Sequence, residues 1–228
     1  MNKSVFIIDC DGVLYPQAEL GLAQIVAAMK KVYREDVGLT GEQQKQISEK
    51  SIRLKHFGAF NFIKHICDET GYSFDLYRQK MVKATDYSAI QYNPNLKKML
   101  NRLVSQKKVF ILSNNSYEHI DCVLQKVFHE TADEISQRGV VIYDITATEK
   151  DGCFHPKQSE KGFTYFLQNI EAKGEDCFLF DDSLPNLQKA KQIGIDGSLV
   201  TLDNDLETQL RTLFEKNKIW EKNYGQTR

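Results

Sequence analysis

The sequence predicts an α/β protein, a doubly wound parallel sheet with a helical domain inserted after its first strand. Three observations carry that reading. Short apolar runs alternate with stretches of helical apolar spacing, the rhythm of βαβ units. Several runs stop abruptly at polar residues, Asp9 and Asp11, Ser113-Asn114-Asn115, and Asp181-Asp182. Buried strands of a parallel sheet read as continuous apolar runs, and ligands bind beyond their carboxyl ends. Residues 16–93, between the first run and the rest, hold helical spacing and no convincing parallel strand.

Val5-Phe6-Ile7-Ile8 is the first strand, ending in Asp9-Cys10-Asp11-Gly12. Leu22, Ile25, Val26 and Met29 then recur at helical spacing, and Val32 and Tyr33 extend that face. Thr40-Gly41-Glu42 opens a charged helical segment that runs to Lys55. His56-Phe57-Gly58-Ala59-Phe60 breaks the pattern, Phe62, Ile63 and Ile66 resume it, and Gly71 stops it. Leu76, Met81 and Val82 mark another short helix. From Asn93-Pro94 the alternation returns, with a helix on Leu96, Met99, Leu100, Leu103 and Val104. Val109–Leu112 is a strand, Ile120 to Phe128 a helix, Val140–Tyr143 a strand and Phe163 to Ile170 a helix. Cys177–Phe180 is the next strand, Leu184 to Ile193 a helix, and Ser198–Leu202 the expected last strand. The core is therefore 1–15 plus 94–202, the helical insertion 16–93, and the tail 203–228 a helix around Leu206, Leu210, Leu213 and Phe214.

Bulk properties exclude several classes. The 228 residues carry a net charge of −1, which gives no electrostatic case for a nucleic-acid polymer or an anionic membrane as partner. The five cysteines are widely spaced without a C-x-x-C pair, so neither a disulfide framework nor a zinc site is indicated. No apolar run has signal-peptide or membrane-spanning length, and a reducing, cytoplasmic location is expected. No residue pattern sets an oligomeric state.

In an extended segment side chains two apart share a face, so Asp9 and Asp11 can reach one site. Two carboxylates that close need a metal ion or a shared proton. Each motif also has a plain reading. Asp11-Gly12 is a common turn, Ser113-Asn114 favours a helix N-cap, and Asp181-Asp182 can be a turn before the Pro185 helix. Lys157, ahead of the Phe163 helix, competes with Lys150 and Lys161. His56 and His65 read as surface residues, Trp220 as packing, and none of the five histidines is given a role. Carboxylates, a hydroxyl, an amide and an ammonium on one sheet edge suit phosphoryl transfer around a hard cation such as Mg²⁺.

In order and spacing these stations resemble the haloacid dehalogenase-like superfamily of aspartyl phosphatases. Asp9-Cys10-Asp11-Gly12 matches its D-x-D-G motif, Phe110-Ile111-Leu112-Ser113-Asn114 its second motif, and Phe178-Leu179-Phe180-Asp181-Asp182-Ser183 its paired acids. Phe163, six residues after Lys157, supports that lysine as the third station, although here the proline precedes it (His155-Pro156) instead of following it. The resemblance implies a Rossmann-like core with a cap where the helical insertion falls. It implies Asp9 as nucleophile, Asp11 as acid and base, Ser113 and Asn114 on the phosphate, and Lys157 neutralising charge. Asp182 and Asp181 would complete a Mg²⁺ site with Asp9 and the backbone carbonyl of Asp11. An acid at Asp11 speaks against a dehalogenase, whose halide leaving group needs no proton.

Gly12-Val13-Leu14-Tyr15-Pro16, His56–Phe60, Thr85-Asp86-Tyr87 and Asn93-Pro94-Asn95-Leu96 are similar to the pyrimidine 5′-nucleotidase branch. That implies a small-molecule phosphomonoester substrate, UMP or CMP first. Gly12 stands where that branch often has Asn, and residues 129–156 depart from its spacing. A phosphosugar phosphatase or mutase would use the same core residues. A non-catalytic binding protein on this scaffold would not need Asp9, Asp11, Ser113 and Asp182 intact, and a secreted factor acting in a host is a further alternative.

Overall fold

In the computed structural model, residues 3–56, 58–159 and 161–224 are described, with side chains up to residue 215. Phe57 and the side chain of Trp220 lie outside the described residues.

The sheet forms where the apolar runs are. Strands β1 (Val5–Ile8), β2 (Lys108–Leu112), β3 (Val140–Tyr143), β6 (Cys177–Asp181) and β7 (Asp196–Leu199) lie in the order β3-β2-β1-β6-β7, all parallel. A two-residue hairpin, β4 (Glu149–Lys150) with β5 (Cys153–Phe154), stands apart from it. The chain leaves β1 toward β2 and β3, then returns past β1 to β6 and β7. That reversal makes the carboxyl end of β1 a topological switch point, where a crevice opens. Register aligns the strand ends, because Ile8 pairs with Ile111 on one side and Phe180 on the other.

Alternation along the strands feeds two cores. Phe6, Ile8, Val109 and Ile111 face helices α5 (Pro94–Val104), α6 (Tyr117–Phe128) and α10 (Leu206–Tyr224). Val5, Ile7, Phe110 and Leu112 face α8 (Gly162–Asn169) and α9 (Leu184–Gln192). Burying each such side chain contributes about 1.5–3 kcal/mol. A six-residue helix, α7 (Ala132–Gln137), precedes β3 and had no counterpart in the sequence reading.

Between β1 and α5 the chain is helical: α1 (Leu22–Lys31) with a π turn at Val32–Asp36, α2 (Gly41–Arg53), α3 (Ala59–Thr70) and α4 (Phe74–Ala84). Thr40 caps α2 in a reciprocal box with Gln43, and Gly71 ends α3 in the left-handed region. These helices close around their own apolar cluster, with Val32, Tyr33, Phe60, Ile63, Ile66 and Tyr77 all buried. Ile145 and Phe154 from the sheet side join that cluster. Asn61 ties the two parts together, its amide exchanging two 2.8 Å bonds with the backbone of Phe154.

Two expectations need correction. The last strand is Asp196–Leu199, not Ser198–Leu202. Gly197 sets this register, since a Cβ there would lie 2.6 Å from Leu187 and 2.8 Å from the Leu179 carbonyl. Val200 still bonds to the Asp181 carbonyl, but the apolar letters that follow turn away and pair Thr201 with Asn204. His65 is buried, not on the surface, and its Nε2 sits 3.2 Å from Nδ1 of half-buried His56.

Candidate active site

Asp9 prolongs β1, its amide donating to the Phe180 carbonyl at 2.9 Å. Cys10 N donates to Asp9 Oδ1 at 2.7 Å, and a tight turn follows, with Leu14 N bonded to the Cys10 carbonyl. Gly12 has φ +75°, and a Cβ there would fall 2.1 Å from an oxygen of Asp182. Glycine is thus required twice, for the left-handed turn and for the approach of the opposite strand end.

Lys157 is buried, and its Nζ lies 2.6 Å from Asp9 Oδ1 and 2.8 Å from Asp181 Oδ2. Asp181 has no free side: Oδ1 also accepts from Ser183 N and Asn186 Nδ2. The rival lysines are elsewhere, Lys150 over the Tyr165 ring at 4.5 Å and Lys161 at 5.9 Å. Asn114 stitches the lysine loop to β2, accepting from Lys157 N at 2.9 Å and donating to Gln158 at 3.0 Å. Gly162 lets that loop close on α8, since a Cβ there would meet the Pro156 carbonyl at 2.3 Å.

Ser113 is buried and accepts from Asn115 N at 3.0 Å, which leaves its hydroxyl proton free to donate. It is not the N-cap of the following helix. That place belongs to Ser116, and a carboxylate of Asp144 accepts from Tyr117 N at 3.0 Å.

Asp11 meets three donors. Tyr15 O–H reaches Oδ1 at 2.5 Å, His119 Nε2 faces Oδ1 at 2.7 Å, and Asn115 Nδ2 donates to Oδ2 at 2.7 Å. Asp182 is half-buried and accepts from Gln17 Nε2 at 2.5 Å.

Electrostatics divide these acids. Burial pushes Asp9 well above the usual carboxylate range, Asp181 and Asp11 push it further, and Lys157 opposes them. Burial would also raise Asp11, but His119, Tyr15 and Asn115 outweigh it and hold the group low. Asp182 is raised, chiefly by burial. For Lys157, burial favours the neutral amine, yet Asp9 and Asp181 prevail and keep it charged.

Asp9, Asp11, Asn114, Lys157 and Asp182 line one cavity of about 290 Å³, while Ser113 and Asp181 are buried and do not line it. Leu22, Ile25, Val26, Met29, Phe60, Ile63 and Met81 supply the opposite wall. Four carboxylates share one lysine here, and Asp9, Asp181 and Asp182 each bring an oxygen within 4.8 Å of the other two. An all-oxygen set with excess negative charge fits a hard divalent cation. Cys10, Asp11 and His119 also converge, but burial holds the Cys10 thiol protonated, which suits no such ion.

Sequence reasoning missed His119, Tyr15 and Asn115 as site residues. The available signal was position: His119 is the third residue of a helix that begins just after a polar strand end, and first-turn side chains lean back toward the N-terminus.

A family model described as a haloacid dehalogenase-like hydrolase matches residues 3–194. Comparison with curated proteins gives no match. Among solved structures the chain is similar to the HAD family enzyme bt-2542 of Bacteroides thetaiotaomicron, at 18% identity over 94% of this chain and 99% of that one, TM-score 0.57. The same enzyme is also known in complex with magnesium and inorganic phosphate, at 17% identity over 90% of this chain and 97% of that one, TM-score 0.53. The putative HAD-hydrolase YfnB of Bacillus subtilis, bound to magnesium, is 17% identical over 94% of this chain and 100% of its own, TM-score 0.55. CbbY of Rhodobacter sphaeroides, in complex with phosphate, is 14% identical over 90% and 88%, TM-score 0.55. Such identities speak for the fold. The family match spans most of the chain, and the protein belongs to the haloacid dehalogenase-like hydrolases.

Proposed function

We propose that the protein is a Mg²⁺-dependent phosphomonoesterase that works through an aspartyl-phosphate intermediate on Asp9, with nucleoside 5′-monophosphates, UMP and CMP first, as substrates. The observation that carries the reading is the buried Asp9–Lys157–Asp181 cluster, with a second, separately held acid two residues on at Asp11. Magnesium and phosphate in complexes of the Bacteroides enzyme support it.

Asp9, Asp182 and the backbone carbonyl of Asp11 would hold the ion, and Asp181 contributes chiefly by anchoring Lys157. Bound Mg²⁺ would supply neutralising charge to the phosphoryl oxygens. Asp9 attacks phosphorus, and the P–O ester bond breaks with its electron pair left on the departing oxygen. Asp11 gives that oxygen a proton, then takes one from the water that releases phosphate from Asp9. Asp11 rests as a carboxylate, so its proton is gained with the substrate, whose negative charge raises the proton affinity of the acid beside it. Lys157 neutralises charge at the transferring group, and the Ser113 hydroxyl donates to a phosphoryl oxygen.

The helical unit, 16–93, acts as the cap over the core 1–15 and 94–202, with 203–228 as a C-terminal tail, of which Leu206, Leu210 and Phe214 pack into the core. Its wall supports the nucleotide reading. A flat pyrimidine suits apolar side chains, whereas the hydroxyls of a sugar phosphate would be left unpaired against them. The five free cysteines support a reducing, cytoplasmic setting.

The test is a panel of nucleotides and sugar phosphates assayed with Mg²⁺, beside Asp9→Asn. Turnover of UMP or CMP by the wild type alone is expected. Equal turnover by the variant would overturn the nucleophile, and preference for a sugar phosphate would overturn the substrate class.

A further inference from the structure

We propose that His119 is a positioning residue for proton transfer. It anchors Oδ1 of Asp11 and thereby presents Oδ2 as the oxygen that exchanges a proton with the leaving group. The inference rests on the reading of Asp11 as acid and base.

The two oxygens of Asp11 are held differently. Oδ1 is met by both the Tyr15 hydroxyl and His119 Nε2, while Oδ2 takes one donor, from Asn115. Two donors on Oδ1 use up its acceptor directions, so a transferable proton belongs on Oδ2, whose partner Asn115 lines the cavity with Asp11 while Tyr15 and His119 do not. His119 is itself fixed: it is buried, and its Nδ1 lies 2.8 Å from the Tyr87 hydroxyl. If Tyr87 O–H donates to Nδ1, the ring hydrogen sits on Nε2, directed at Asp11. Tyr87 follows α4 and His119 lies in α6, so the chain Tyr87–His119–Asp11 braces the acid from the end of the helical unit. In the transfer step the proton leaves Oδ2 for the ester oxygen while the P–O bond breaks and the Asp9–phosphorus bond forms. Asp11 is left a carboxylate.

A positioned acid matters only where the leaving group needs a proton. The experiment therefore compares kcat/KM for a nucleoside 5′-monophosphate, with an alkoxide leaving group, and for p-nitrophenyl phosphate, whose phenolate leaves unassisted. kcat/KM covers steps up to departure of the alcohol, so later hydrolysis of the aspartyl phosphate does not enter. His119→Ala is expected to lose about 10–100-fold on the nucleotide, and less than about threefold on the aryl ester. His119→Gln, which keeps an N–H near the place of Nε2, should recover most of the loss. Tyr15→Phe, which removes one hydroxyl and little volume, should show the same split and serves if His119→Ala does not fold. Equal losses on both esters in His119→Ala or Tyr15→Phe would overturn the inference. Asp11→Ala separates the two levels: a split there without one at His119 defeats positioning alone, and no split there defeats the acid itself.

Discussion

The sheet edge and the helical wall facing it enclose one cavity but are built on opposite rules. At the edge nearly every polar side chain is committed: Lys157 to two acids, Asp181 to three donors, Asp11 to three more. On the wall the lining is mostly aliphatic and aromatic, and its two amides are spent, Asn61 on the Phe154 backbone and Gln17 on Asp182. Charge-assisted bonds fix direction to within tenths of an ångström, whereas apolar contacts fix volume only. The edge can therefore specify a reaction, and the wall can specify little beyond shape.

Breaking the edge should cost most. Asp9→Asn should lower kcat by more than about 10⁴-fold with the fold intact by circular dichroism, because no other group replaces the nucleophile. Lys157→Met should cost about 10²–10³-fold in kcat. It should also cost about 3–5 kcal/mol of stability, since Asp9 and Asp181 remain buried without a counter-charge. Urea unfolding beside steady-state kinetics checks both.

Magnesium should act at the edge too. At one hundred times its Kd it stabilises by about 2.7 kcal/mol, which raises Tm by roughly 5–10 °C in a domain of this size. Asp182→Ala should abolish most of that shift in a thermal melt with and without the ion.

Changes to the wall should be milder and of another kind. Leu22 lines the cavity yet is 73% exposed, so Leu22→Ala should leave stability within about 0.5 kcal/mol. Its effect should be a several-fold rise in KM for nucleotides at constant kcat, because it removes contact made equally before and during the reaction.

The smallest effect concerns pH. Burial, then neighbouring His56, lowers the His65 pKa below its ordinary 6.5. Above that value both folded and unfolded chains carry a neutral imidazole. As pH falls through it the unfolded chain takes up a proton first, so stability declines on the acid side. His65→Gln should flatten that decline in denaturant melts between pH 7.5 and 5.

The same contrast explains what could be read in advance. Four of the five sheet strands were legible because buried parallel strands write themselves as apolar runs, and Asp9, Ser113 and Asp181 were legible as the polar residues that stop them. β7 was misplaced because it is an edge strand whose register depends on the closeness of Gly197 to Leu179, a contact between segments. α7 escaped because six residues give too few apolar positions for a period. His119 escaped for a different reason: its partner is more than a hundred positions away, and only the fold brings a first-turn histidine onto Asp11. The wall was legible as helix but not as specificity, since aliphatic letters read alike in a pocket and in a core.

The central claim is an acyl phosphate on Asp9, and trapping it tests the account most directly. Acid quenching during turnover, borohydride reduction and peptide mass spectrometry should find homoserine at position 9, and none in Asp9→Asn. Full turnover with position 9 unmodified, or homoserine formed at another carboxylate, would contradict it.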